Sequence, residues 1–560
     1  MRMRVRAAGV LGTAALLCAA LLGTGTAQAD QGQIETNYQN PVTALPPVSQ
    51  PDTHHCTVTE MQYDFGNTIS SPAWNGTVTP PANCPGPWSK VVLNWSGSVQ
   101  GRQYDRLAGV WIGGAEVLRT STPEPTQQGI SWSLEKDVSA FIPLLRTEQP
   151  IAVSLGNVVN STYTGVYHMK LTLTYYQADH RYPAARTADQ VVPLSASTTD
   201  AGWTYLNPGQ SSSKTVTLPR NLTDVRMEVY ARGGGCDEQW FDSVPTDLAN
   251  KYPDYLCGGG PYREVQVSVD GRPAGIAQPY PVVYSGGIVP TLWRPIPAVD
   301  QFVTQAYDLD LTPFAGLLVD GLPHTFTITP HGAADGWTVD STLFLDTDHH
   351  AARTSGALTE DTLSLSPAVT TTETPGPGDL VNVRVSAQRA WTTSGWLDTS
   401  AGRVHTTVTQ HAGYLNTDAV SSGGQKQVMS QREDGTTVVT TTPAHGHARA
   451  TKHSWDYPIT VDSDVPLYTD GDNYSLSATV HQGRVLIDSV SQGDHWRTLG
   501  FSRDVVDASG VLARTNGVTT AADGQDSEHY TGTTDTGACY DHLIRADHGY
   551  VTEDHVSDCD

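Results

Sequence analysis

Arg263-Glu264-Val265-Gln266-Val267-Ser268-Val269, running into Asp270-Gly271, is the stretch that decides the fold class. Apolar and polar residues alternate, which is the period of a strand with one covered face. Asp-Gly supplies the positive φ angles of a tight hairpin turn. The same period returns in Ile151-Ala152-Val153-Ser154-Leu155 and in Met169-Lys170-Leu171-Thr172-Leu173-Thr174-Tyr175. Sustained helical periodicity is missing. Pro143-Leu144-Leu145 and Thr312-Pro313-Phe314-Ala315-Gly316-Leu317 suggest short helical turns and no more. The 560 residues include 52 Gly and 35 Pro, yet only 16% are charged. Many turn formers and few charges point to an all-β protein, and away from a helical or an acidic disordered one.

Length divides this pattern into about three domains of roughly 150 residues each. Residues 1–29 read as a secretory signal, with Arg2, Arg4 and Arg6 basic, Val10 to Leu22 apolar and Ala27-Gln28-Ala29 as the cleavage site. The expected product is a secreted, extracellular protein, with no membrane attachment once the signal is cut. After an extension over 30–50, a first β-domain is expected over 51–190 and a second over 191–350. The Ser/Thr/Pro/Gly-rich 351–379 reads as a linker, and 380–560, rich in Thr, Val, Ser, Asp and His, as a C-terminal β-rich domain. Beyond Cys18, six cysteines fall into three local pairs, so Cys56–Cys84, Cys236–Cys257 and Cys539–Cys559 are the expected disulfides. None is spaced as CxxC, and no metal is expected.

A formal net charge of −25 argues against a nucleic-acid partner. There is no GxSxG elbow, HExxH or Walker A motif. Pairs such as Asp308/Asp310 and Asp346/Asp348 read as acids on solvated turns. Two segments stand out instead. In Gln103-Tyr104-Asp105-Arg106-Leu107-Ala108-Gly109-Val110-Trp111, a charged pair interrupts a strand-like run, and an Asp there is either paired structurally or functional. In Gly233-Gly234-Gly235-Cys236-Asp237-Glu238-Gln239-Trp240-Phe241, glycines allow close backbone approach and a disulfide would pin the loop carrying Glu238. Two acids from separate β-domains suit hydrolysis, one handling the water and the other the leaving group.

These segments resemble the peptide-N-glycosidase A family, the peptide-N4-(N-acetyl-β-glucosaminyl)asparagine amidases, over roughly residues 55–450. The resemblance also rests on Trp111-Ile112-Gly113-Gly114-Ala115-Glu116, Thr122-Pro123-Glu124-Pro125-Thr126, Gly260-Pro261-Tyr262-Arg263-Glu264-Val265, Val283-Tyr284-Ser285-Gly286-Gly287-Ile288 and Leu292-Trp293-Arg294-Pro295. It implies two adjacent eight-stranded jelly rolls with the site between them, followed by the C-terminal β-rich domain. It implies cleavage of the amide between Asn and the innermost N-acetylglucosamine of N-linked glycopeptides or glycoproteins, converting Asn to Asp. No cofactor is implied, and a monomer is expected. Asp105 matches the primary acid of the distantly similar flavobacterial-type peptide-N-glycosidase F, and Glu238 its supporting Glu. Arg106 is expected to hold Asp105 ionised. Tyr104, Trp111, Glu116, Asn157, Trp240, Glu264, Trp293 and Arg294 complete the expected substrate-binding set. A third acid is expected near Leu155-Gly156-Asn157, where plant-type members read Leu-Glu-Asn. Gly156 departs from that, leaving Asn157, Glu116, Glu124 or Glu264 as substitutes. The alternative reading is a non-catalytic, lectin-like N-glycan-binding protein.

Overall fold

The computed structural model describes residues 37–492, 495–534 and 536–557. The expected signal, the start of the extension and Cys559 lie outside the described residues. The first unit has eight strands: β1 (His55–Phe65), β2 (Trp74–Val78), β3 (Trp88–Val99), β4 (Leu107–Ile112), β5 (Ala115–Ser121), β6 (Ile130–Asp137), β7 (Gln149–Leu155) and β8 (Tyr167–Gln177). They form two four-stranded antiparallel sheets in the orders β1-β8-β3-β6 and β2-β7-β4-β5. Trp95, Leu93, Val110, Val153, Leu171 and Leu173 interleave between them as a closed core.

The second unit repeats this order. β9 (Gln190–Pro193) joins the edge of a sheet made by β10 (Thr204–Leu206), β12 (Leu222–Gly233), β15 (Tyr307–Asp310) and β17 (Trp337–Thr347). The facing sheet holds β11 (Ser212–Thr217), β13 (Glu264–Val269), β14 (Arg272–Ala277) and β16 (Pro323–His331). Eight interleaved strands in two sheets are the make-up of a jelly roll. The short helical turns fall where expected, at Ile142–Leu145 and over Thr312–Leu318.

Two expectations are corrected here. The stretch 351–379 is not a linker: Ser355–Asp361 and Val369–Pro375 are strands paired with Val381–Thr399. They open an eleven-stranded antiparallel sheet that runs to Tyr550–Ser557, with strands as long as the 22 residues of Arg449–Asp470. Such lengths far exceed the usual 3–10 residues. One face of this sheet, through Val385, Ala387, Tyr414, Ile459 and Val480, is continuous with the core of the second unit. The packing explains why β13 is buried on both faces despite its alternating sequence: Gln266 donates to the Leu365 carbonyl at 2.9 Å, and Arg389 pairs with Glu264 at 2.7 Å.

The second correction concerns cysteine. Cys236 and Cys257 are bonded, but Cys56 and Cys84 are free thiols. The Cys84 sulfur contacts His54 Nδ1 at 3.4 Å and the Tyr175 carbonyl at 3.7 Å, and the Cys56 thiol lies beside it, unbonded. Among the described residues, no helix is long and apolar enough to cross a membrane.

Candidate active site

The run Tyr104-Asp105-Arg106 enters β4 and is fixed by its neighbours. Tyr167 donates its hydroxyl to the Tyr104 carbonyl at 2.7 Å. The Arg106 amide donates to Thr122 Oγ1 at 2.9 Å, and the Thr122 amide returns a bond to the Arg106 carbonyl at 3.0 Å. Arg106 Nη2 donates to Gln103 Oε1 at 2.5 Å, and Gln103 is itself held by the Val158 and Gly165 carbonyls. This network leaves the Asp105 carboxyl facing the second unit.

Glu238 reaches the same place from that unit. β12 ends at Gly233, where a β-carbon would lie 2.0 Å from the Asp237 carbonyl oxygen, so only glycine lets the chain turn there. The following turn, Gly235–Asp242, is pinned by Cys236–Cys257. It is anchored by the fully buried Asp237, which pairs with Arg263 at 2.7 Å and accepts from the Trp337 indole at 2.6 Å. The C-terminal sheet supports the same turn, since Asn416 donates to the Phe241 carbonyl at 2.9 Å and Gln427 to the Asp242 carbonyl at 2.8 Å. Glu238 then pairs with Arg232 at 2.7 Å, whose guanidinium lies 4.5 Å from the Tyr284 ring centre.

A third carboxylate joins them. A β-carbon on Gly286 would lie 3.1 Å from Glu124 Oε1 and 3.3 Å from Asp105 Oδ1, so both acids converge on a residue without a side chain. Glu124 is buried and paired with Arg294 at 2.5 Å. Arg294 lies 5.0 Å from the ring of Tyr38, whose hydroxyl donates to the Glu124 carbonyl. The N-terminal segment therefore straps the site: Val42 donates to the Pro295 carbonyl at 3.2 Å, and Ala44 to Glu528 Oε2 at 2.6 Å.

Burial first, then the charges of Glu238 and Glu124, push the Asp105 carboxyl up to about 7, against the pull of Arg232 and Arg106. This corrects the expectation that Arg106 keeps Asp105 ionised, because desolvation and two like charges outweigh it. Glu238, whose charge contributes to that rise, is itself ion-paired with Arg232. A carboxyl raised by burial and by like charge where two β-units meet is a candidate for acid–base work.

Several expected substrate contacts are structural. Trp111 is buried against Trp203 and donates to Asp340 Oδ2 at 2.6 Å. Glu116 is buried and accepts two hydrogen bonds from the Arg119 guanidinium, both at 2.8 Å. Asn157 is buried and bonds the Phe65 and Gly165 carbonyls at 3.0 Å, so it closes a loop instead of replacing an acid. Trp240 is buried edge-on against Phe241. Glu264 ties Tyr262, Gln266 and Arg389 together. Trp293 supports the Gly287 carbonyl at 2.9 Å. Tyr104, half-buried against Tyr163, and Arg106 remain at the site's edge. Arg232, Gly286 and Tyr38 were not singled out from the sequence. Arg232 stands directly before the glycine run, which is the one local signal for it.

A family model described as peptide N-acetyl-beta-D-glucosaminyl asparaginase amidase A matches residues 42–364, and one described as the PNGase_A C-terminal domain matches 382–459. The chain is 33% identical over 403 residues to the peptide-N4-(N-acetyl-beta-glucosaminyl)asparagine amidase A of Prunus dulcis, covering 69% of this chain and 70% of that protein. Among solved structures it is similar to the glycosylasparaginase PNGase F of Flavobacterium meningosepticum, with a TM-score of 0.34 and 14% identity over 52% of this chain and 96% of that one. It is also similar to PNGF-II, with a TM-score of 0.36 and 13% identity over 53% of this chain and 66% of that one.

Proposed function

We propose, from the premise that this chain belongs to the peptide N-acetyl-beta-D-glucosaminyl asparaginase amidase A family, that it hydrolyses the amide joining Asn to the innermost N-acetylglucosamine of N-linked glycopeptides and glycoproteins. The observation that carries this reading is that Asp105 and Glu124 of the first unit converge at the side-chain-free Gly286 of the second, while Glu238 of the second unit is near enough for its charge to raise the Asp105 carboxyl. Asp105, protonated below about pH 7, gives its proton to the amide as the C–N bond breaks. Glu238, held by Arg232, takes a proton from the attacking water. The water oxygen joins the Asn side-chain carbonyl carbon, which becomes Asp, and the glycan leaves as the glycosylamine. Glu124, held by Arg294, adds to the negative field that keeps the Asp105 proton in place.

The chain acts outside the cell as a monomer. The basic–apolar–small pattern of residues 1–29 and the Cys236–Cys257 bridge support export. The test is to cleave a denatured glycopeptide in heavy-oxygen water and weigh the peptide. One heavy oxygen in a new Asp is expected. A peptide that keeps one sugar on Asn, or stays unchanged while bound, contradicts the reading.

A further inference from the structure

The first unit carries a group of donors that the active site does not use. His54 Nδ1, Cys56 Sγ and Cys84 Sγ all lie within 4.8 Å of one another, and His54 Nδ1 is 3.4 Å from Cys84 Sγ. Two elements bring them together. His54 immediately precedes β1 and Cys56 is its second residue, where register sets Cys56 opposite Tyr175 of β8. Cys84 comes from the loop before β3 and is fixed on both sides: its amide donates to the Pro81 carbonyl at 3.0 Å, and its carbonyl accepts from the Trp88 indole at 2.8 Å. Cys84 is fully buried, Cys56 partly so, and His54 is exposed.

From this geometry we infer that His54, Cys56 and Cys84 bind a zinc ion, with water in the fourth, solvent-facing position. Two thiolates and an imidazole suit zinc, while calcium and magnesium need several oxygen ligands and this cluster contains no carboxylate. Spacings of this size fit donors arranged around one ion at about 2.0–2.3 Å each. On binding, each thiol loses its proton to solvent, and no oxidant or reductant is involved. The ion would tie the loop before β3 to the first strand of the sheet. It would also explain how two adjacent thiols persist in a chain that carries a disulfide elsewhere.

The full-length protein, grown with zinc and purified without reductant or chelator, tests this by elemental analysis, thiol titration and a non-reducing peptide map. One zinc ion per chain is expected, with Cys56 and Cys84 slow to react with a thiol reagent until a chelator removes the metal. His54→Ala changes an exposed side chain, so the fold is kept. It should weaken zinc binding by at least the roughly 10–100-fold that loss of a metal ligand's own partner costs. A Cys56–Cys84 bridge in the peptide map overturns the proposal. So does a zinc-free protein with two reactive thiols, or zinc binding that His54→Ala leaves unchanged. Glycopeptide cleavage is not a readout here, so this result stands apart from the assignment of the active site.

Discussion

Arg232 Nη2 stands 2.7 Å from Glu238 Oε2, joining the end of β12 to the turn that β12 feeds. The pair fixes where the Glu238 carboxylate points, and the Tyr284 ring beneath the guanidinium fixes the arginine. Arg232→Met should lower kcat by about 100-fold, the scale that misplacing a catalytic group costs, with a smaller change in KM. Arg232→Lys should recover part of the loss, since it keeps the charge but not the fork. Steady-state kinetics of the two variants on one glycopeptide would show it, and equal kcat in all three proteins would remove Arg232 from the account.

Gly286 has ordinary negative φ, so its requirement for glycine is spatial. The added carbon of Gly286→Ala would press on Glu124 Oε1 and Asp105 Oδ1 together. Activity should fall by about tenfold or more while the melting temperature moves little, because the carbon enters the substrate side of the site and not the core. Retained activity in Gly286→Ala would mean that the carboxylates do not act at that point.

Buried carboxyls set the pH dependence of stability. Burial pushes Asp340 and Asp526 up to about 8, and Asp105 and Asp504 up to about 7. In the unfolded chain an Asp titrates near about 3.9, so these groups hold protons more tightly when folded. Their contribution is fully present below about pH 4 and is lost as pH rises through about 7 to 8. Thermal unfolding scans should show a lower melting temperature at pH 8.5 than at pH 5.5. A melting temperature that rises over that interval contradicts the assignment.

The all-β class was legible from the two-residue period of β7, β8 and β13, because alternation reports a covered face directly. Asp105 and Glu238 drew attention because each sits in a run with unusual neighbours, a charged pair at a strand mouth and a glycine-rich disulfide loop, while their roles as acids are what the family resemblance implies. The aromatic contacts misled, because a tryptophan beside an acid looks the same whether it faces substrate or core. Trp111 and Trp240 face core. Residues 351–379 misled for a related reason: Thr-rich strands at a sheet edge share their composition with a linker. Of the substitutes named for the acid missing at Gly156, Glu124 is the one that comes beside Asp105, held by an Arg294 pairing to the second unit that no local spacing records.

Tyr38 links the N-terminal strap to the site through the Glu124 carbonyl and the Arg294 guanidinium. Tyr38→Phe keeps the ring over Arg294 and loses one hydrogen bond, which should cost about 1 kcal/mol of stability. Tyr38→Ala removes the ring as well, and should cost about 3 kcal/mol or more and lower kcat, because the Arg294–Glu124 pair loses its cover. A purely structural strap would lower the melting temperature in both variants and leave kcat and its pH profile unchanged. Chemical denaturation and kinetics on the same preparations separate these outcomes.

If Asp105 carries the proton that the amide needs, its removal and its titration must both show in glycan release. The direct measurement is the pH profile of glycan release by the wild-type protein and by Asp105→Asn, followed as Asn-to-Asp conversion by mass spectrometry. The account predicts wild-type activity that falls as pH rises through about 7, where Asp105 loses its proton. It also predicts an Asp105→Asn protein slower by about 100-fold or more across the range. An Asp105→Asn protein as fast as wild type, or wild-type activity that climbs through that pH, would contradict it.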